Sequence, residues 1–310
     1  MIKYKPKIDK VSLTVPVPEA ELQNEATAVI TSMNAAGKEN GYLWAGGSGY
    51  KAGARIYLPT TLGFKKGTYM RVQVGPQDGS KNFLRLEWNP SAVGLKGLAY
   101  LQQEFDQFLP DWRQRILDHG RVTRMDIACD FARIRVDDII VWSKKVQKYG
   151  MYTNAQGETE TLYLGAKESN QVVVYDRVAK LRQENQSDFK QAGTIMVMKP
   201  VPKYPITRIE RRQRKVSIPV SNLLEIDNPF SGVVVYQPVP HQFPATLYRY
   251  PAFRNACQMR GYKRALAMMP PAHRATYEKK LLASLAPWWD ADSVWKHWPH
   301  ALKNAGLLAP

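Results

Sequence analysis

Three features of this sequence predict an α+β fold, a central antiparallel β-sheet flanked by helices. Short alternating segments recur between about residues 40 and 215, and several are joined by compact polar or glycine-rich turns. Sequential hairpins of that kind favour antiparallel over parallel pairing. Amphipathic helical stretches interrupt the strands, and beyond about residue 220 the texture becomes proline-rich and then helical.

Taken in order, residues 19–35 carry Leu22, Ala26 and Ile30 at the spacing of a weak helix. GYLWAGGSGYKAGARIYLP reads as strand, glycine-rich turn and strand. It lacks GxxxxGK[ST], so a phosphate loop is excluded and a hairpin turn is predicted. TYMRVQVG and FLRLEWN alternate around GPQDGSK, a second hairpin. Residues 95–119 place Leu98, Leu101, Phe105, Phe108, Trp112, Ile116 and Leu117 near one helical face. Pro110 kinks or divides that helix and Gly120 stops it. VTRMDIACDFAR is a strand, and residues 136–149 read as helical. TETLYLG and QVVVYDR are strands joined by AKESN, followed by a polar helix over about 177–189. GTIMVMK and YPITRIERRQRKV are two further strands, the second with a basic tail.

NPFSGVVVYQPVPHQFP is rich in proline and poor in charge. Helices follow over 251–268 and 273–285, separated by MMPPAH. The expected organisation is a domain over 1–220 and a helical C-terminal region over 221–310 without an assigned role. The four tryptophans Trp288, Trp289, Trp295 and Trp298 fit core or interface packing better than a base-stacking surface.

The formal net charge is +17 over 310 residues, and the pI is near 9.7. Such an imbalance favours a polyanionic partner, nucleic acid first. Cys129 and Cys257 have neither metal-ligand spacing nor the density of a disulfide framework. No stretch reaches the ~20 apolar residues of a membrane span. MIKYKPKIDK starts basic but is followed by no apolar run or cleavage pattern. These features predict a cytoplasmic protein in a reducing compartment, with no membrane partner.

Against this basic background, acids stand inside apolar segments: Glu87 in FLRLEWNP, Asp126 and Asp130 in VTRMDIACDF, and Glu210 in ITRIERRQR. A buried acid needs a metal ion or a cation as partner. Strand alternation puts Glu87 and Asn89 on one face, where two oxygen-bearing groups can point at one hard cation, Mg²⁺ or Mn²⁺. Asp126 and Asp130 share a face but lie roughly 13 Å apart on a straight strand. One of them, Asp126, is therefore expected beside Glu87, with Asp130 orienting a neighbour or pairing with an arginine. The competing assignment for every one of these acids is a salt bridge to Arg85, Arg124, Arg208 or Arg211.

Tyr175 ends the apolar run QVVVYDR. As a phenolate it can attack phosphorus, given a cation to offset its ordinary pKa of about 10; Arg177, Lys167 and Lys180 are the nearest cations in sequence. Tyr163, in TLYLG, is the competing nucleophile. Arg208, Arg211, Arg212, Arg214 and Lys215 form a basic run. On a regular strand Arg208, Glu210, Arg212 and Arg214 share one face, a candidate DNA track.

LRLEWNP, TRMDIACDF, TLYLGAKESNQVVVYDRVAK and TRIERR together resemble the replication initiation factors of rolling-circle plasmids and filamentous phages, the Rep_trans type, over residues 40–215. The third segment carries most of the likeness: a Tyr-x-Gly run, a charged Ser-containing turn, then a strand ending in Tyr-Asp. Here these are Tyr163, Gly165, Lys167, Ser169, Tyr175, Asp176 and Arg177, with Arg177 where lysine is commoner. The resemblance implies a sheet related to that of the HUH nucleases, with acids replacing part of the histidine set. It implies an endonuclease that nicks one strand of a double-strand origin, holds the 5′ phosphate on a tyrosine and rejoins the strand. It implies a metal held by Glu87 and Asp126, with Glu210 as a possible third ligand, and Tyr175 as nucleophile. Its partners would be DNA, single-stranded at the nick, then host helicase and polymerase, with a homodimer as the assembly. No family motif covers the chain after about residue 220.

Overall fold

The computed structural model describes residues 5–17, 24, 27–28, 43–44, 49–76, 78, 81–106, 111–144, 146–192, 200–243 and 249–308. The expected helix over 19–35 and the expected strand GTIMVMK lie largely or wholly outside these residues. The chain folds as α+β with extensive antiparallel sheet, in two compact units that interleave along the sequence. One comprises Lys7–Ile127, Gln213–Asp227 and His297–Pro310; the other comprises Met1–Pro6, Ala128–Arg212 and Asn228–Lys296. Residues 221–310 are thus shared between both. Among the described residues no helix is long and apolar enough to cross a membrane.

In the first unit the strand order is β2-β3-β4-β5-β1-β6: Leu43–Trp44, Tyr50–Tyr57, Tyr69–Pro76, Phe83–Trp88, Lys7–Pro16 and the start of Arg121–Ala132. β4 and β5 form the hairpin expected around GPQDGSK, with Val72 opposite Leu86. Alternation buries Val11, Leu13 and Val15 of β1 beside Leu84 and Leu86 of β5. The expected helix over 95–119 is two: α1 (Pro90–Phe105) and α2 (Trp112–His119). Asn89 caps α1 by accepting from the Ala92 amide, and Gly94 at φ 60° interrupts its first turns. The Phe105 and Trp112 rings stack at 4.7 Å. Trp298, on the short helix Trp298–Asn304, is buried and donates Nε1–H to the Leu223 carbonyl at 2.7 Å.

In the second unit the order is β6-β11-β10-β9-β8, with β11 at Ile206–Pro219, β10 at Gln171–Asp176, β9 at Thr159–Leu164 and β8 at Tyr149–Thr153. Leu162, Leu164, Val172, Val174 and Ile209 fill one face of these strands. The described residues of 136–149 form no α-helix. They form a 3₁₀ turn (Val136–Asp138), strand β7 (Ile140–Ser143) and the approach to β8. Val136, Ile139 and Ile140 stand at helical spacing, but the β-branched run pairs with β12 (Val233–Tyr236), so tertiary pairing overrides the local pattern.

The basic helix after Tyr175 is α3 (Arg177–Ala192). The remaining helices here are α4 (Arg249–Arg260), α5 (Tyr262–Ala267), α6 (Pro271–Leu282) and α7 (Ala291–Trp295). Gln258 of α4 is buried, donating to the Ile139 carbonyl at 2.8 Å and accepting from Thr159 Oγ1 at 3.0 Å. Phe243, Tyr250, Phe253 and Tyr277 pack as an aromatic core. Burial pushes the Tyr250 phenol up to about 12. Trp288 and Trp289 are half-buried and pack on Phe131 at 4.8 and 5.5 Å. Both cysteines are buried, and no disulfide joins them.

Gly261 separates α4 from α5 at φ +79°, and a Cβ there would lie 2.7 Å from the Tyr149 hydroxyl. Gly261→Ala meets both backbone strain and overpacking, so it is expected to lower stability by about 1–3 kcal/mol in urea unfolding. An unchanged midpoint would contradict this account of the α4–α5 break.

Candidate functional site

Tyr163, Tyr175, Arg208 and Glu210 lie on β9, β10 and β11. Tyr175 stands opposite Arg208 and Thr161, Val173 opposite Glu210 and Tyr163, and Gln171 opposite Arg212. Opposed residues share a face, so Tyr163, Tyr175, Arg208, Glu210 and Arg212 project to the same side. The buried Arg208 guanidinium donates from Nε to Asp130 Oδ1 at 2.6 Å and from Nη2 to Oδ2 at 2.9 Å. Its remaining arm, Nη1, lies 3.4 Å from the Tyr175 hydroxyl, and its central carbon is 5.9 Å from the Tyr175 ring centroid. A bidentate carboxylate fixes the plane of a guanidinium. Asp130 therefore aims Arg208 at Tyr175, an orienting role in keeping with the arginine pairing anticipated for it.

The rest of the Tyr175 motif builds the backbone around it. Asp176 accepts from the Val178 and Ala179 amides at 2.7 and 3.0 Å, starting α3 directly after the tyrosine. Ser169 closes the β9–β10 turn on the Ala166 carbonyl, and Gln171 donates to the Gly165 carbonyl. Arg177 turns along α3 to Glu184 at 3.2 Å rather than to Tyr175. Lys167 and Lys180 are exposed and are not brought to the phenol. Tyr163 meets Tyr152 edge-on at 5.6 Å, and among the described residues no cation is placed on it. Tyr152 is 64% exposed on the same side; sequence reasoning passed over it, although its alternation with Gly150 in GMYT is a usable signal.

In the first unit Glu87 accepts from Ser12 Oγ at 2.7 Å and Arg85 Nη2 at 2.9 Å, and pairs with Lys10 Nζ at 2.8 Å. Burial pushes its carboxyl up, but the hydrogen bonds and charges of Lys10, Ser12 and Arg85 outweigh this and hold it below the ordinary glutamate value. Asp126 is gripped by Arg124 at 3.0 and 2.5 Å. β1 lies between β5 and β6, so the backbones carrying Glu87 and Asp126 are about two strand spacings, ~10 Å, apart. Asn89 is the α1 cap rather than a companion of Glu87 on one cation.

Glu210 is likewise engaged, by Arg212 Nε at 2.6 Å. Among the described residues no three His, Cys, Asp or Glu side chains are grouped to hold a metal ion. The carboxylates named for Mg²⁺ or Mn²⁺ thus stand as arginine partners, and as arranged they do not fit a divalent ion.

The basic run is not a continuous cationic row. Arg208 and Arg212 are engaged by Asp130 and Glu210. Arg211 stands opposite Val172 on the other face, where burial pulls its guanidinium down from the ordinary value. Arg214 is half-buried, and Lys215, though exposed, adopts φ 55°, which breaks the alternation. Arg85 and Arg124, also candidates for DNA, are held by Glu87 and Asp126. No protein-family model matches the chain, and no curated protein matches it.

The lowered Glu87 carboxyl gives a pH signature. Its contribution is present above the ordinary glutamate range and is lost as pH falls through the lower folded-state pKa. Glu87→Gln should therefore melt below wild type at pH 7, with the gap narrowing by pH 3. A constant gap across that range would contradict the charged network around Glu87.

Proposed function

We propose that this protein nicks and rejoins a DNA strand through Tyr175, in the manner of a rolling-circle replication initiator. The observation that carries this reading is the Asp130–Arg208–Tyr175 arrangement, a phenol beside a guanidinium held in one plane by two hydrogen bonds. Of the two tyrosines singled out by sequence, Tyr175 is, among the described residues, the one with a cation near its hydroxyl. The net charge of +17 supports a polyanionic substrate.

In the proposed reaction the Tyr175 oxygen, its proton lost to solvent, attacks phosphorus. A tyrosyl O–P bond forms as the P–O3′ bond breaks, and the departing 3′ oxygen takes a proton from solvent. The 5′ end stays on the tyrosine and the 3′ hydroxyl is free to prime. Reversal by a 3′ hydroxyl rejoins the strand. Arg208 offsets charge on the phenolate and on the phosphoryl oxygens, and it needs no reorientation to do so. The implied divalent ion finds its named ligands engaged by arginines, so no step is assigned to one.

A second reading, DNA binding without cleavage, is favoured by one observation: Glu87, Asp126, Asp130 and Glu210 all make arginine pairs. Labelled single strands tiled across the replicon that encodes the chain, incubated with and without Mg²⁺ or Mn²⁺ and run on denaturing gels, separate the two. Nicking predicts a covalent protein–DNA band that Tyr175→Phe abolishes and Tyr163→Phe retains, with DNA affinity changed less than about threefold in both. A band lost in Tyr163→Phe alone would move the nucleophile there. No band on any strand would leave the binding reading.

A further inference from the structure

A second basic feature of this unit lies apart from Tyr175. Where α4 ends, Gly261 turns the chain so that Arg260 at the end of α4 and Lys263 and Arg264 on α5 line one cavity of about 240 Å³. Trp142 of β7, Tyr149 of β8 and Gln147 complete its polar and aromatic wall. Among the described residues no carboxylate lines it.

That absence of neutralisation sets the cavity apart from its surroundings. Arg135 is paired with Glu158, Arg177 with Glu184, Arg208 with Asp130 and Arg254 with Asp137. Among the described residues Arg260, Lys263 and Arg264 have no such carboxylate partner. The Lys263 ammonium lies 5.6 Å from the Trp142 ring centroid, and the edge of Tyr262 meets the same ring at 5.6 Å. Lys263 is thus held over the cavity by an aromatic face, which attracts a cation without cancelling its charge. Burial raises Tyr149 above its ordinary value despite the nearby Arg264, so its hydroxyl stays neutral and available as a donor. Three converging cations, a phenol and an amide form a donor-rich, acceptor-poor pocket.

We propose that this pocket binds a phosphate group, and that its source is the backbone of single-stranded nucleic acid. Arginine forks suit phosphate oxygens, and lysine adds a point charge. The surplus of positive charge over the whole chain favours a polynucleotide over a free phosphate ester. The inference stands independently of chemistry at Tyr175.

The test compares wild type with the triple variant Arg260→Gln, Lys263→Gln, Arg264→Gln. A control triple, Lys279→Gln, Lys296→Gln, Lys303→Gln, removes the same charge from exposed sites elsewhere. Fluorescence anisotropy of a labelled oligothymidylate is followed against salt, and calorimetry measures inorganic pyrophosphate and adenosine monophosphate. Thermal melts confirm that both variants are folded. Three lost phosphate contacts flatten the slope of log affinity against log salt by about 2, so the pocket triple should show that change and the control should not. If the oligothymidylate slope is unchanged but wild type binds pyrophosphate or the nucleotide and the pocket triple does not, the phosphate site stands and its source is a free ester. Equal flattening in both triples, or no change with any probe, would overturn the proposal.

Discussion

The pairing of arginine with carboxylate along and between strands is the constraint on which the sheet faces depend. Acids placed inside apolar strands are costly unless charge and hydrogen bonding are both answered. Here they are answered locally. Glu87 collects Ser12, Lys10 and Arg85. Asp126 takes Arg124, Glu210 takes Arg212, and Asp130 takes Arg208. An exposed pair of this kind contributes about 0–1 kcal/mol, whereas breaking a buried one costs about 3–5 kcal/mol because a charge is left without its partner. In each of the pairs of Asp126, Glu210 and Arg208 one side chain is buried and the partner is 24–30% exposed, so they lie between the two regimes.

The same pairing decides which side chains remain available for chemistry. Asp126 and Asp130 have both oxygens on a guanidinium and so have little left to offer a cation; these two pairs read as frames that hold arginines rather than as ligand sets. A guanidinium held at two donors still has others. Arg208 also reaches Tyr175 through Nη1 at 3.4 Å, and Arg85 also donates to Gln73 at 2.8 Å. Arg260, Lys263 and Arg264 form the contrasting case: among the described residues no acid holds them.

Much of this was legible in the sequence where partners are local. Glu87 with Arg85, Asp126 with Arg124, and Glu210 with Arg212 stand two residues apart on strands, and period-two geometry alone puts each pair on one face. The hairpin around GPQDGSK was legible for the same reason. Partners distant in sequence were not. Ser12 and Glu87 are 75 residues apart and Arg208 and Asp130 are 78 apart, and they meet only through strand order. β1 itself escaped notice although Val11, Leu13 and Val15 alternate, because Lys7, Asp9 and Lys10 thin the apolar signal. Residues 136–149 misled through chance helical spacing, since nothing local reveals β12 as the partner of β7.

The Asp130–Arg208 pair also bears on how a tyrosine on this sheet would be activated. The pair is close to neutral in sum, so its effect at Tyr175 is that of an oriented dipole rather than a full positive charge. Its positive end is the Nη1 arm, and the carboxylate lies on the far side of the guanidinium from the phenol. A fixed dipole of that polarity stabilises negative charge forming on the phenol oxygen without first having to rotate into place, which is where preorganised sites gain over water. At 3.4 Å the Nη1 contact is long for a hydrogen bond to a neutral phenol. An oxygen becoming anionic draws a charged donor closer, so the contact has room to strengthen as charge develops. Orientation by Asp130 and room at Nη1 thus work in the same direction.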